Sequence, residues 1–311
     1  MARPSPEEPL RIGTRGSALA LAQANETRNR LMEAHELSEV AFEIVVIKTT
    51  GDRVQDRALS EIGGKGLFTK EIEDALLDRD IDIAVHSMKD MPTILPDGLE
   101  ISALLPREDV RDAFVSPHHA AIAELPEGAL VGSSSLRRKA QLLHRRPDLH
   151  VVEFRGNVQT RLRKLEEGVA VATFLACAGL RRLGLEEIIR SEISPDEMLP
   201  ACAQGAIGIE TRIGDEATAS LLQPIHDEAT ATRLASERAF LAALDGSCRT
   251  PIGGLASIEG GELLFRGEII RPDGSERLAT ERRGSLHEAA NLGLDAAEEL
   301  RASAGHGFFE T

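Results

Sequence analysis

The chain has 311 residues, 42% hydrophobic and 28% charged, and a formal net charge of −15, a length beyond what one core normally supports, so two or three soluble globular domains are expected. Three cysteines without a Cys-x-x-Cys pair argue against a disulfide framework and a structural zinc site, and zero Trp, zero Tyr and nine Phe leave few platforms for stacking nucleic-acid bases. No apolar run has the length of a signal-peptide core or a bilayer span, so the chain reads as cytoplasmic, in a reducing compartment.

In chain order, Arg11-Ile-Gly-Thr-Arg-Gly-Ser17 leads from a short strand into a helix over Ala18 to Glu36, and Ala41 to Ile47 reads as a buried strand. Thr49 to Gly66 contains four glycines and reads as a mobile lid, with a plain surface loop as the competing reading. Its Gly63-Gly64-Lys65-Gly66 fails as a phosphate-binding P-loop, because Gly follows the Lys and Leu59 stands where a Gly is required. Phe68, Ile72, Ala75 and Leu76 have helical spacing, and Ile81 to Val85 is the next strand. A second set follows: a strand near Leu130-Val131, a helix from Ser135, a strand His150 to Phe154, a helix from Asn157 and a strand Val169 to Leu175. This βαβ grammar predicts an α/β fold with largely parallel sheets and ligand sites at the carboxyl ends of strands. After Pro224 the grammar changes to a helix Asp227 to Leu244, strands around Leu255, Leu263 to Ile270 and Arg277 to Arg282, and a last helix opened by a capping box, Ser285-x-x-Glu288. A separate, smaller C-terminal α+β domain is expected there, and no internal repeat of fixed period is visible.

Charge is unevenly spread. Residues 131–164 hold nine Lys/Arg against Asp148 and Glu153, a local +7 that leaves −22 for the remainder. A basic cluster inside an acidic chain points to a local anionic ligand rather than to a nucleic acid. The cluster shares a device with the first strand–helix junction: Thr14-Arg15-Gly16-Ser17, Gly132 to Arg138 and Arg155-Gly156-Asn157 are polar turns that open helices and carry arginine. Helix N-termini present unpaired N–H groups and a positive dipole end, so an arginine there faces the same anion as the backbone. Arg137 and Arg138 point about 100° apart on a helix and are expected to grip two different anions. Surface ion pairing is the competing account, and the segment itself holds few acids for it.

Lys89-Asp90 follows a buried strand, which makes Asp90 a candidate carboxylate for a cation and Lys89 a candidate anion contact, although the same dipeptide suits a plain turn. His86, His118 and His119 lack metal-site spacing and read as structural. Cys177 and Cys202 lie in apolar surroundings, whereas Cys248 lies in the polar turn Asp245-Gly-Ser-Cys-Arg-Thr-Pro251 and reads as an attachment point.

Several of these stretches, in this order, resemble the porphobilinogen deaminase (hydroxymethylbilane synthase) family. They include Arg11 to Ser17, Gly63 to Phe68, Asp82 to Asp90, Arg107 to Val115, Gly132 to Arg138, Arg155 to Val158, Ala178 to Gly184, Gln204 to Gly208 and Gly246 to Pro251. Ser247 stands where many members have Gly, and Val169 to Ala172 lacks a Tyr-Asp frequent before that strand; neither touches a position given a chemical role. The resemblance implies two periplasmic-binding-protein-like α/β domains, residues 1–105 with 201–224 and residues 106–200, followed by an α+β domain over 225–311. It also implies a monomeric transferase that joins four porphobilinogen units with loss of ammonia, using no metal or nucleotide, on a dipyrromethane cofactor held by a thioether to Cys248. Substrate and cofactor carboxylates would then meet Arg15, Ser17, Lys89, Ser133, Ser135, Arg137, Arg138, Arg155, Gly156, Arg161 and Arg182, and Asp90 would be the catalytic carboxylate. A non-catalytic anion-binding protein of periplasmic type explains the arginines but leaves Cys248 and the third domain without a role. An RNA-binding reading fits poorly with −22 outside the basic segment.

Overall fold

A computed structural model describes residues 4–53, 69–246, 250–305 and 307–309. The first stretch of chain builds β1 (Leu10–Arg15), α1 (Ala18–His35), β2 (Phe42–Ile47), α2 (Thr50–Arg53), α3 (Lys70–Leu77), β3 (Ile83–Ser87) and β4 (Leu99–Leu104). Next come β5 (Asp112–Val115), β6 (Leu130–Gly132), α4 (Leu136–Arg145), β7 (His150–Val152), α5 (Val158–Glu166), β8 (Ala172–Ala176), α6 (Cys177–Arg182) and β9 (Ser191–Ile193). The remainder is β10 (Ile207–Arg212), α7 (Glu216–Leu222), α8 (Glu228–Ala243), β11 (Ile252–Glu259), β12 (Glu262–Ile270), β13 (Arg277–Ser285) and α9 (Ala289–Ala304). Two compact units result, residues 1–108 with 205–231 and residues 109–204 with 232–311.

The first unit is a five-stranded sheet in the order β2-β1-β3-β10-β4. Strand β1 is parallel to both neighbours, whereas β10 runs antiparallel to β3 and β4. Helix α1 starts where the Ser17 hydroxyl accepts the Ala20 N–H, and ends where Glu36 turns left-handed (φ 50°) and returns its N–H to the Met32 carbonyl. One sheet face packs Leu10, Ile12, Val85, Ile207 and Ile209 against Ala24 and Leu31 of α1, and the other packs Ala84 against Ile72 and Leu76 of α3. Each such buried aliphatic side chain contributes on the order of 1.5–3 kcal/mol. A Cβ at Gly13 would lie 2.2 Å from Cδ1 of Ile81, so a side chain there would require Ile81 to move.

The second unit holds a five-stranded sheet, β7-β6-β8-β5-β9, and a three-stranded antiparallel sheet, β11-β12-β13. In the former, β6 is parallel to β7 and β8, and β5 is antiparallel to β8 and β9. The two five-stranded sheets therefore share one plan: three parallel strands joined through helices, then a reversed strand and an edge strand. The three-stranded sheet packs Leu263, Phe265 and Ile269 against Phe240 of α8 and Ala296, Ala297 and Leu300 of α9.

Three expectations need correction. The large sheets are mixed rather than largely parallel, because a reversed strand enters each of them. Strand β2 is half-buried rather than buried, since it lies at a sheet edge, with Val46 49% exposed. The Ser285 hydroxyl caps His287 N–H in a short 3-10 turn over Leu286–Glu288, so α9 begins only at Ala289 and the expected capping box does not form.

Candidate functional site

In the first unit the parallel register Ile12↔Ile83 and Gly13↔Ala84 brings the carboxyl ends of β1 and β3 to one sheet edge. Two expected groups thus leave the same edge: Arg15 and Ser17 before α1, and Lys89 and Asp90 in a 3-10 turn over Met88–Asp90. Asp90 is exposed, and Arg15, Ser17 and Lys89 are half-buried. The turn is held from below. Gln23 of α1 exchanges hydrogen bonds of 2.8 and 3.0 Å with the Ser87 hydroxyl, and Met88 N–H donates to the Ala206 carbonyl at 3.0 Å. The expected lid residues Gly63, Gly64, Lys65 and Gly66 lie outside the described residues.

In the second unit β6, β7 and β8 are parallel, so the turns carrying Ser133 and Ser135, Arg155 and Gly156, and the start of α6 emerge at one edge. Ser133 is buried, its N–H on the Val152 carbonyl and its hydroxyl accepting the Ser135 N–H. The Ser135 hydroxyl caps α4 by accepting Arg138 N–H, and Asn157 caps α5 by accepting Thr160 N–H. Gly156 adopts φ +122°, and a Cβ there would lie 2.5 Å from Cγ2 of Thr160, so a side chain is excluded on two grounds.

Arg137 and Arg138 do not face two separate anions in this structure. Both are buried and converge on Asp112, itself fully buried. Arg137 Nη1 donates to Oδ2 at 2.7 Å and to the Leu199 carbonyl at 2.8 Å. Arg138 reaches Oδ1 through Nε (3.0 Å) and Nη2 (2.6 Å), and its Nη1 donates to the Phe174 carbonyl. Gln204 Nε2 adds a 3.0 Å bond to Oδ1. Burial alone would raise the Asp112 pKa, but the two guanidiniums overrule it and hold the carboxyl well below the usual carboxylate range. Asp112 was missed by sequence reasoning because its partners lie 25 and 26 residues away. The available signal was its place at the head of a short apolar strand, where an acid is unusual.

Arg155 is different. It is half-buried, and its Nη1 is shielded from solvent with no hydrogen-bond partner among the described residues. Its backbone carbonyl accepts from Lys164 Nζ at 3.0 Å, and the Gly156 carbonyl accepts from Arg161 Nε at 2.9 Å, so α5 fastens the turn while the Arg155 guanidinium stays available to an anion. Arg182 closes α6 and is half-buried. Other members of the basic cluster are structural: Arg146 pairs with Asp148, and Arg163 with Glu167 beyond the segment.

Cys177 and Cys202 are buried, and burial pushes the Cys177 thiol up to about 12. Cys248 lies outside the described residues. A cleft of about 660 Å³ in the second unit is lined by His144, Arg145, Asp196, Arg266, Glu268 and Arg277, and touches none of the expected site residues. No described helix is long and apolar enough to cross a membrane.

A family model described as porphobilinogen deaminase, dipyromethane cofactor binding domain, matches residues 10–220, and one described as porphobilinogen deaminase, C-terminal domain, matches residues 231–302. A curated relative from Paracoccus denitrificans (strain Pd 1222), called porphobilinogen deaminase, is 68% identical over 307 residues, covering 99% of this chain and 98% of its own. One from Nitrobacter hamburgensis (strain DSM 10229 / NCIMB 13809 / X14), with the same name, is 56% identical over 96% of this chain and 94% of its own. Among solved structures, a Coxiella burnetii periplasmic substrate-binding protein of an ABC transporter matches at 13% identity with a TM-score of 0.45, covering 74% of this chain and 96% of its own. A putative methionine-binding lipoprotein from Bacillus subtilis matches at 13% identity with a TM-score of 0.42, covering 73% and 93%.

Proposed function

The chain belongs to the porphobilinogen deaminase family, and from that premise we infer that it is a transferase condensing four porphobilinogen molecules head to tail, with loss of ammonia at each step, to give hydroxymethylbilane. The observation that carries this reading is 68% identity across 99% of the chain. The dipyrromethane cofactor supplies, when bound, a primer whose free pyrrole carbon accepts the first unit. Cys248 is the proposed attachment point.

The residues present fit such a polycarboxylate. Arg155 offers a shielded guanidinium nitrogen without a partner among the described residues, and such a group favours a charge-assisted bond to a carboxylate, on the order of 1.5–3 kcal/mol. Gly156 leaves the adjacent backbone bare for close approach. We assign Arg155, Gly156, Arg161, Arg182, Ser133, Ser135 and Arg137 to the carboxylates in the second unit, and Arg15, Ser17 and Lys89 to those in the first. All three guanidinium nitrogens of Arg138 are engaged by Asp112 and the Phe174 carbonyl, so its share is positive charge and the placing of its neighbours.

Asp90 is assigned the chemistry. As the aminomethyl C–N bond of porphobilinogen breaks, ammonia departs with the bonding pair and the remaining methylene and pyrrole ring share a positive charge. An ionised Asp90 beside the ring nitrogens stabilises that charge as it develops. Forming the new C–C bond releases a proton from the pyrrole carbon that attacks, and Asp90 would assist that transfer.

We read the domains as 1–105 with 201–224, 106–200 and 225–311, and the enzyme as a cytoplasmic monomer. The deciding experiment is the intact mass of denatured protein. The expected result is a covalent excess equal to two linked pyrrole units, absent in Cys248→Ser; polypeptide mass alone under loading conditions, with porphobilinogen left unconsumed, defeats the reading.

A further inference from the structure

Glu237 of α8 is fully buried, and the chemistry assigned above does not use it. Its carboxyl oxygens accept backbone N–H groups from two distant stretches of the second unit: Oε2 from Ala203, and Oε1 from Ala256 of β11 at 2.9 Å. Ala203 lies in the segment 199–204, through which the chain leaves the second unit for β10. It is buried with φ 61°, a left-handed setting that an alanine keeps only where its surroundings hold it. The same segment is seated on β11 at another point. Gly254 N–H donates to the Pro200 carbonyl at 3.0 Å, and a Cβ on Gly254 would lie 2.5 Å from Cys202 Sγ.

The basic cluster fastens segment 199–204 as well. The Leu199 carbonyl accepts from Arg137 Nη1 and from Gln141 Nε2, both at 2.8 Å, and Gln204 Nε2 donates to the Val110 carbonyl and to Asp112 Oδ1. A continuous run of hydrogen bonds and chain therefore leads from Glu237 through Ala203 and Gln204 to Asp112 and its two arginines. Glu237 also closes the base of the connection that carries Cys248, because that connection leaves α8 and enters β11, the two elements its carboxyl joins. Leu244 and Ile252, at the two ends of the connection, pack in one core with Cys202.

We propose that Glu237 is a positioning residue for the deaminase reaction: it ties both ends of the Cys248 connection to segment 199–204, so that the primer's tether and the arginines around Asp112 are held as one piece. The proposal rests on the function given above. It needs two acceptor oxygens and no particular charge on Glu237. Glu237→Gln keeps the size and shape of the side chain but turns one acceptor into a donor. One of the two buried N–H groups then faces another donor, whichever way the amide lies.

The test compares Glu237→Gln with Leu300→Val, a substitution on α9 that removes packing from the same core and no hydrogen bond of segment 199–204. Loading is read by intact mass, and turnover is expressed per loaded molecule. Leu300→Val is expected to lower the melting midpoint yet to load fully and keep kcat within about two-fold of wild type. In Glu237→Gln, kcat is expected to fall roughly 10–100-fold, with KM within about two-fold. A folded Glu237→Gln that takes up no cofactor, beside a Leu300→Val that does, supports the proposal equally. Wild-type loading and kcat in Glu237→Gln, or equal losses in the two variants, overturn it, since a purely structural role follows stability alone. If Glu237→Gln does not fold, hydrogen exchange decides between loaded wild type and Cys248→Ser. The Ala203 and Ala256 amides are expected to slow on loading at least about five-fold more than the Leu263 and Phe265 amides of the same core, because coupling between a tether and its anchors is reciprocal; equal slowing overturns the proposal. Wild type that lacks the covalent mass excess or makes no hydroxymethylbilane defeats the function itself; wild type that turns over while Glu237→Gln matches it defeats only this inference.

Discussion

Asp90 and Arg155 carry the two halves of the proposed chemistry, and each has a distinct signature. Asp90 is exposed on a 3-10 turn, so its replacement disturbs little packing, and its partner charge exists only along the reaction path. Asp90→Asn is expected to keep the covalent mass excess and lower kcat by roughly 10²–10³-fold, with KM changed far less. Steady-state kinetics on mass-verified protein checks this, and an unchanged kcat removes Asp90 from the mechanism. Arg155 has a shielded nitrogen without a partner among the described residues, an arrangement that costs the folded protein something unless an anion occupies it. Arg155→Leu is therefore expected to leave the denaturation midpoint equal or higher while cofactor loading fails or chain growth stalls early. Mass spectrometry and a melting curve together decide, and a destabilised variant with normal tetrapyrrole output contradicts the assignment.

Among the elements, the arginine-bearing turns depend on how their helices start. Helix α5 begins at Asn157, whose side-chain oxygen accepts both the N–H and the hydroxyl of Thr160 at 2.9 Å. The same helix fastens the Arg155-Gly156 backbone through Arg161 and Lys164. Asn157→Ala is expected to destabilise the first turn by about 1 kcal/mol, and Asn157→Asp to preserve it. Hydrogen exchange at the Thr160 amide should quicken about five-fold in the alanine variant, and no change there means the cap contributes nothing. The caps at Ser17, Ser135 and Asn157 were legible because capping is chemistry between residues two or three apart. The edge position of β2 was not, because an apolar run looks the same whether one neighbouring strand or two will flank it.

On the scale of the whole molecule, the second unit is organised on one buried carboxylate. Asp112 draws Arg137, Arg138 and Gln204 together, and its pKa is lowered against the opposing effect of burial. A carboxyl depressed in the folded state contributes stability that is present above its unfolded value, near 3.9, and is lost as pH falls through its folded value. Asp109 and Asp215, also lowered, act in the same direction. Circular dichroism during acid titration should show stability declining only below about pH 4. Asp112→Asn strands two buried cations and is expected to cost roughly 3–5 kcal/mol at neutral pH, with a shallower acid dependence; urea unfolding at pH 7 and at pH 4 checks both, and equal slopes remove Asp112 from the acid response.

The sequence by itself determined the alternation of strands and helices, the helix starts at Ser17, Ser135 and Asn157, the apolar settings of Cys177 and Cys202, and the family, because these depend on patterns within a few residues or on the order of long motifs. Tertiary structure decided what depends on chain returning from afar. Strand β10 comes back reversed between β3 and β4, which mixes the sheet and delivers Glu210 to His86 across 124 residues. Asp112 reaches its arginines through strand β5 in the same way, pairing Arg137 and Arg138 with one buried carboxylate. Both five-stranded sheets repeat one topology although no repeat is visible in the residues, since the packing of helices on strands constrains where apolar side chains fall and leaves their identity free.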